Sequence, residues 1–537
     1  MFSAVFRPES AAVYSEQVKC RFILEQELKR PIFAVLFFFC CAFSSSFGQS
    51  SATSAEQRAN RYLESVRGQP GLALAFLREM PKGGDLHNHL GGAVYAEDLI
   101  DYAAHDKLCV DRPTGTAVRG GCDASCEPSA SKPAVECAYR DPNLYNRIVD
   151  AWSMRNWERG HESGHDHFFA TFFKFDAPFQ NHIGEEIGRA LQRAAADHLQ
   201  YVELMHTVGG MESAQLGARL GWDSDLATMR EKLLSGGLKD AVAAARKELD
   251  QDEEAVRKVN ACGTSSALPA CNVTVRYLYQ VLRGLPPEQV FAQILTGFEL
   301  ASIDPRVVGL NLVMPEDWYV PMRDFNLHMR MLDYLHGIYP KVHISLHAGE
   351  LAMGLVPPEG LSFHIRHSIE QGHAERIGHG VSVMDEHNAI DLLREMAERK
   401  ILVEICLTSN DTILGVSGKD HPLPIYRKYK VPVALATDDE GVSRSDMTHE
   451  YLRAVETYNL SYVDLKHMAR ESLEHSFLSG RSLWVDVERE QEDRACGSDG
   501  AGRSRTSASC EKFLSENEKA QMQWKLEHEF ATFEKKF

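Results

Sequence analysis

Residues 342–350 read Val342-His343-Ile344-Ser345-Leu346-His347-Ala348-Gly349-Glu350. A short, mostly apolar run stops abruptly at an imidazole, two small residues and a carboxylate. Runs of this length and composition are candidates for buried strands. The same grammar recurs at 84–90 (Gly-Asp-Leu-His-Asn-His-Leu), at 375–379 (Glu-Arg-Ile-Gly-His) and at 433–438 (Val-Ala-Leu-Ala-Thr-Asp). Further apolar runs span Leu199 to His206, Asn272 to Val281, Val307 to Val313 and Ile401 to Leu407.

Eight strand candidates with helical patterns between them, such as Glu185 to Asp197 and Ala389 to Glu398, read as βα units around a parallel sheet. Periodicity alone does not separate a barrel from an open, doubly wound sheet. The position of the polar residues does. They fall at the carboxyl ends of the first, fifth, sixth and eighth candidates, where a (β/α)8 barrel builds its active site. The expected fold is therefore an α/β, TIM-type (β/α)8 barrel over residues 84–480, preceded by a helical lead-in at 50–83. Gly/Pro/Ser-rich, cysteine-bearing segments at 105–140 and within the C-terminal extension 481–537 read as insertions stapled onto it.

Each polar cluster has its own chemistry. His87 and His89 are two apart on a strand, so both side chains reach one side. His347 adds a third imidazole suited to a transition metal, and Ala348 and Gly349 let the backbone pass close to a bound ligand. Glu350 then overhangs the pocket as a proton carrier. His379, between Gly378 and Gly380, suits acid/base work near neutral pH. Asp438 is a carboxylate at an apolar strand end, costly to bury unless it meets a cation or donors. Its neighbour Asp439 faces the other way, toward a substrate. Taken singly each cluster also has a bland reading, as a turn histidine or a solvated acid; together at four strand ends they do not.

Composition narrows the field. The 537 residues are 44% apolar and 25% charged, ordinary for a globular chain. The 58 basic and 76 acidic residues leave a formal charge of −18, which argues against a general nucleic-acid binder. Lys29 and Arg30 precede the apolar run Ile32 to Phe43, followed by small and polar residues. This is the order of a secretory signal, assigned to residues 1–49, and the run is too short to span a bilayer as an ordinary helix. The expected location is secreted or periplasmic, with no membrane attachment once the signal is removed.

Of the 12 cysteines, Cys20, Cys40 and Cys41 fall in that leader. Cys109, Cys122, Cys126 and Cys137 cluster in one insertion, Cys262 and Cys271 close a short loop, and Cys496 and Cys510 bracket another. Local pairs in loops fit an oxidising compartment. Intervals of 13, 4 and 11 in the foursome do not give the short knuckles of a structural zinc site, and its internal pairing stays open. Cys406, in the apolar run Ile401 to Leu407, reads as a buried free thiol.

The motifs His87-Asn88-His89-Leu90-Gly91-Gly92-Ala93, Leu346-His347-Ala348-Gly349-Glu350, Arg376-Ile377-Gly378-His379-Gly380 and Ala436-Thr437-Asp438-Asp439-Glu440-Gly441 resemble, in order and interval, those of the metal-dependent adenosine/adenyl deaminases of the amidohydrolase superfamily. The likeness covers about Met80 to Leu478. The Met80-Pro81-Lys82-Gly83 lead-in, the export signal and the cysteine-bearing insertion are most similar to the secreted adenosine deaminase growth factor branch, which implies a homodimer contact through lead-in and insertion. Phe168, Phe169, Phe172 and Phe173 resemble the family's hydrophobic lid, and equally a helix packed on the barrel.

The resemblance implies one zinc ion per chain held by His87, His89, His347 and Asp438. It implies that Glu350 protonates the purine at N1, that His379 takes a proton from the attacking water and orients it, and that Asp439 bonds N7 beside Gly349. Two positions depart from the family: Gly91 stands where compact members have aspartate, and Met314-Pro315 where a glycine follows the fourth strand. Proline has no N–H to offer and methionine adds bulk. The expected activity is hydrolytic deamination of adenosine, 2′-deoxyadenosine or a related aminopurine nucleoside. A modified aminopurine and a non-catalytic secreted purine-binding or signalling role are the alternatives.

Overall fold

The computed structural model describes residues 54–497, 499–500 and 506–537; the leader, with Ile32 to Phe43 and its three cysteines, lies outside the described residues. Eight parallel strands form one sheet in sequence order: β1 Gly83–His89, β2 Leu199–His206, β3 Thr274–Leu282, β4 Val307–Val313, β5 His343–Ala348, β6 Arg376–His379, β7 Leu402–Ile405 and β8 Val433–Leu435. The register runs Met205 beside His89, Tyr279 beside His206, and His379 beside Ala348. A parallel bridge between Asn88 and Asp438 brings the last strand back to the first. There the His89 N–H donates to Asp438 O, and the Asp438 N–H to His87 O, both at 2.9 Å. The sheet is a TIM barrel.

All eight expected strands are present; Leu199–His206 and Val307–Val313 coincide with the expectation and the other six have one or both ends shifted by one to three residues. The run at 401–407 shows why: the ladder stops at Ile405, Cys406 caps the next helix, and Leu407–Leu414 is helical. At 272, a 3-10 turn (Pro269–Asn272), tied down by Cys262–Cys271, delays β3 to Thr274. Helices on the outer face, among them Leu238–Val259, Pro287–Ile303 and Tyr319–His336, bury their apolar stripes against the sheet.

The lead-in is two helices, Ala55–Val66 and Pro70–Glu79, the first opened by a capping box between Ser54 and Gln57. Lys82 then anchors the entry to β1. Its buried ammonium donates to the carbonyls of Leu77, Met80 and Asp197 at 2.7–2.9 Å. The C-terminal helix Glu518–Glu534 lies on the same layer, with Phe533 edge-on to Phe76.

The first insertion pairs as Cys109–Cys122 and Cys126–Cys137, which resolves the foursome; Cys262–Cys271 and Cys496–Cys510 join as expected, and Cys406 is free and buried. Leu108, Val110, Val135 and Cys137 of the insertion join Leu99, Ile148, Trp152, Phe168 and Phe175 in a second core. The helix Gly164–Phe179 is therefore supported from behind by a disulfide-stapled platform. No helix among the described residues is long and apolar enough to cross a membrane.

Candidate active site

β1 projects His87 and His89 to one side of its carboxyl end, β5 brings His347, and the segment after β8 brings Asp438; all four are buried and their ligand atoms converge. His347 Nε2 lies 3.1 Å from His87 Nε2 and 3.0 Å from His89 Nε2, and both of those lie 3.4 Å from Asp438 Oδ1. The outward nitrogens are already committed. His87 Nδ1 meets Glu404 Oε2 at 2.6 Å, His89 Nδ1 meets Gln280 Oε1 at 2.7 Å, and His347 Nδ1 meets Asn311 Oδ1 at 2.5 Å. Each partner is an acceptor, so each Nδ1 carries the proton and each Nε2 turns a lone pair inward. Three lone pairs and a carboxylate oxygen crowded together repel unless a cation lies among them. Ligands about 2.0–2.1 Å from a tetrahedral zinc ion stand roughly 3.3–3.4 Å apart, close to the spacing here. The residues fit a metal ion.

Glu404 is shared. Beyond His87 it accepts from Ser345 Oγ at 3.0 Å and from Arg376 Nε at 2.7 Å, while Arg376 also reaches Glu203 at 2.5 Å. Burial would push the Glu404 carboxyl up, but Arg376 and His87 outweigh it and hold it down, ionised. Gly378 makes room for His87, since a Cβ there would meet His87 Cε1 at 2.5 Å. Arg376 therefore belongs to the frame that orients His87.

Glu350 follows Gly349, whose φ of +73° turns the chain over the pocket. Glu316 grips that turn, accepting from Gly349 N–H at 3.1 Å and Glu350 N–H at 2.8 Å and pairing with His364. Burial, reinforced by the charges of Asp438 and Glu316, pushes the Glu350 carboxyl well above the usual range. Its surroundings therefore favour the protonated form.

His379 is fixed by a relay of one polarity. The Leu423 backbone N–H donates to His421 Nδ1 at 3.1 Å, so the proton of neutral His421 is on Nε2 and goes to Asn410 Oδ1 at 3.0 Å. The Asn410 amide must then present its NH2 to His379 Nδ1, at 2.9 Å. His379 accepts there, and its own proton is on Nε2. That Nε2 has no hydrogen-bond partner and faces Glu350 Oε1 at 3.6 Å and Asp438 Oδ2 at 3.9 Å. Burial drives His379 down to about 3, so the ring is neutral. Both His379 (φ 68°) and Asp438 (φ 61°) sit in the left-handed region, a strained conformation for side chains of this kind and typical of functional positions.

Asp439 packs onto Gly92, where a Cβ would fall 1.7 Å from its Oδ1. Burial and the adjacent Asp438 charge raise its carboxyl well above the usual range, and Oδ1 has no partner. Asp439, Glu350, His89 and His347 open into one cavity of about 490 Å³. Phe168, Phe169, Phe172 and Phe173 line its wall while Phe168 and Phe175 also fill the second core, so the aromatic helix is both wall and packing element. Gly91, Met314 and Pro315 line it too. Met314 keeps a φ of 114°, the backbone of a glycine carrying a methionine side chain that lies against Gly284. Cys406 lies beneath the floor with its Sγ near His87, His379 and Asp438, and burial raises its thiol well above the usual value. It stays protonated, as a packing residue would.

Of the expected site residues, His89, His347, Glu350, Asp438 and Asp439 line this cavity, while His87, His379 and Gly349 are not among its lining residues and adjoin those that are. Glu316, Glu404, Asn311, Gln280, Asn410 and His421 were not expected. The signal for Glu404, Asn311 and Gln280 was present: a polar residue inside a strand otherwise built to be buried.

Residues 240–483 match the family model described as adenosine deaminase. The adenosine deaminase of Salmonella dublin is 40% identical over 138 residues, which is 26% of this chain and 38% of that protein. That of Clostridium perfringens (strain 13) is 34% identical over 137 residues, 25% of this chain and 38% of that protein. The chain thus matches about 38% of the length of these curated relatives. Among solved structures, arabidopsis ADAL complexed with IMP covers 75% of this chain and 93% of its own at 19% identity and a TM-score of 0.49. Adenine deaminase from Arthrobacter aurescens covers 74% and 94% at 17% identity and a TM-score of 0.46. The matched residues 240–483 carry His347, Glu350, His379, Asp438 and Asp439, so this part of the chain is similar to the adenosine deaminase family.

Proposed function

We propose that the chain is a zinc-dependent hydrolytic deaminase of an aminopurine nucleoside: adenosine, 2′-deoxyadenosine or a close relative. One observation carries this reading. Two buried carboxyls pushed toward their protonated forms (Glu350 and Asp439) and an N–H without a partner (His379) surround the His87/His89/His347/Asp438 set at a single aromatic cavity. One zinc ion per chain, when bound there, would supply the Lewis acidity that activates water near neutral pH.

The protein's own residues supply the rest. Glu350 carries the proton that goes to ring N1, which makes the carbon bearing the amine electrophilic. Asp439, protonated, donates to N7 and sets the ring's orientation. The resemblance implies that His379 takes a proton from the attacking water; its Nδ1 already accepts from Asn410 and its proton is on Nε2, so in this reading it instead donates toward the attacking oxygen and stabilises the charge that grows on it. Water adds to that carbon; one of its protons restores the Glu350 carboxyl, the other passes to the amine nitrogen, and as the C–N bond breaks ammonia leaves and the ring carbon becomes a carbonyl, with the aromatic helix covering the ring face.

The cavity lining also bears on the substrate. It includes no lysine or arginine and does include Asp176 and Glu248, which favours an uncharged nucleoside over a 5′-phosphate. Gly91, Met314 and Pro315 in the wall favour, as a second reading, a differently substituted aminopurine. The leader reading and the four disulfides support an exported enzyme, and the stapled insertion with its helical lead-in supports the growth-factor-like branch and its dimer.

The test is ammonia release by purified, zinc-loaded protein against a panel of aminopurine bases, nucleosides and 5′-nucleotides. Turnover of nucleosides above nucleotides is expected. No release from any of them would reject both enzyme readings and leave a binding role.

A further inference from the structure

His206 ends β2 on the same cavity wall and is none of the groups assigned so far. Its ring is buried, and its Nε2 has no hydrogen-bond partner. Facing it, the helix Leu238–Val259 presents Glu248 and Asp252, one turn apart on the same face. Asp252 is buried and its Oδ2 also lacks a partner. Glu248 is half-buried; its Oε2 is pinned by the Gly209 N–H at 3.2 Å, which leaves Oε1 turned to the cluster. His206 Nε2 lies 3.6 Å from Asp252 Oδ2 and 3.9 Å from Glu248 Oε1, and the three donor atoms all lie within 4.8 Å of one another.

These separations are too long for hydrogen bonds. The two distances from His206 lie within about half an ångström of the ~3.0–3.5 Å edges expected between ligands bonded at ~2.1 Å to one ion. Two carboxylates held this close under cover repel, and a single imidazole proton balances only one of them. A divalent ion balances both.

We propose that His206, Glu248 and Asp252 form a second cation site, on the wall of the cavity and distinct from the His87/His89/His347/Asp438 set, for a first-row divalent metal. One imidazole and two carboxylates suit manganese or zinc over the softer ions. His206 and Glu248 line the cavity, so the ion keeps an open side toward it, where a water or a sugar hydroxyl would complete its shell.

The experiment is metal analysis of chelator-stripped full-length protein, reloaded with zinc alone or manganese alone and freed of excess ion. Wild type is expected to hold two ions per chain in at least one of the two metals. Glu248→Gln and Asp252→Asn are each expected to hold one, and His347→Asn to hold one by losing the other site. Glu248 is half-exposed, so E248Q gives a folded comparison, checked by its melting curve, if the buried D252N does not fold. One ion per chain in wild type with both metals, or an E248Q stoichiometry equal to wild type, overturns the proposal. Neither result depends on turnover, so the deaminase reading stands or falls separately.

Discussion

The side-chain amide of Asn410 donates to Nδ1 of His379 at 2.9 Å, and the direction of that bond is dictated from Leu423, whose backbone N–H cannot reverse. A main-chain amide thereby selects the tautomer of a catalytic ring three links away. Asn410→Asp replaces the donor with an acceptor and draws the His379 proton to Nδ1. The expected result is a fall in kcat of about 10–100-fold, the usual scale for losing such a supporting contact, with metal content retained. Asn410→Leu, which removes the contact without reversing it, should fall less. Steady-state kinetics with metal analysis checks both, and a wild-type kcat in N410D would contradict the assignment.

Glu350 is placed to deliver a proton and touches none of the metal-ligating atoms. Glu350→Gln keeps shape and hydrogen-bonding capacity but has no acidic proton. It is expected to lose essentially all turnover while holding the metal as wild type does. Metal loss in this variant would mean that the carboxylate acts as a ligand.

Gln280 orients His89 through a 2.7 Å contact and is itself held by Thr207 at 3.0 Å. Gln280→Leu frees the ring without leaving a buried charge. Metal affinity, measured by competition with a chromophoric chelator, should drop about 10–100-fold. The matching change at Glu404 is expected to cost stability as well, roughly 3–5 kcal/mol, because it strips a buried arginine of one of its two carboxylates.

Glu471 gives a pH prediction away from the active site. Burial would raise its carboxyl, but His467 at 3.2 Å and His475 at 3.0 Å outweigh that and hold it at about 2. A folded pKa below the unfolded one means that the unfolded chain binds more protons between about pH 4.5 and 2. The stabilisation, on the order of 3 kcal/mol, is complete above about pH 4.5 and lost as the pH falls through 2. Glu471→Gln should therefore be less stable than wild type at pH 6, with the gap closing toward pH 3. Denaturant unfolding of the metal-free protein at a series of pH values reads this directly, and a gap independent of pH would refute it.

The barrel and the centre of its site were legible in the sequence for the same reason. A buried strand is written in apolar residues, and a histidine or aspartate at its end stands out against them. What was not legible depends on partners distant in the chain. Glu316 looks like any loop acid until Gly349 and Glu350 are folded over it. Asn410 and His421 gain their roles only from each other and from a backbone amide. The pairing of Cys109 with Cys122 over Cys126 or Cys137 follows from a short hairpin, Cys109–Val110 against Ala117–Val118, which sets Val118 beside Cys109 and brings the chain back toward it before Cys122; spacing alone does not reveal this. Met314 is a mixed case, since the departure shows in the sequence but its glycine-like backbone does not.

The seam of the barrel lies between Asn88 and Asp438, and the inward-facing donors of the centre come from both of its edges: His87 and His89 from one, Asp438 from the other. A cation seated there acts as a clasp, joining the first strand made to the last. Tight binding is thereby contingent on a ring that has closed in register, because a one-residue slip at the seam would turn Asp438 away. An ion held there would double as a proof of assembly, and a chain interrupted before β8 would keep three imidazoles but lose the anionic side chain that completes the set.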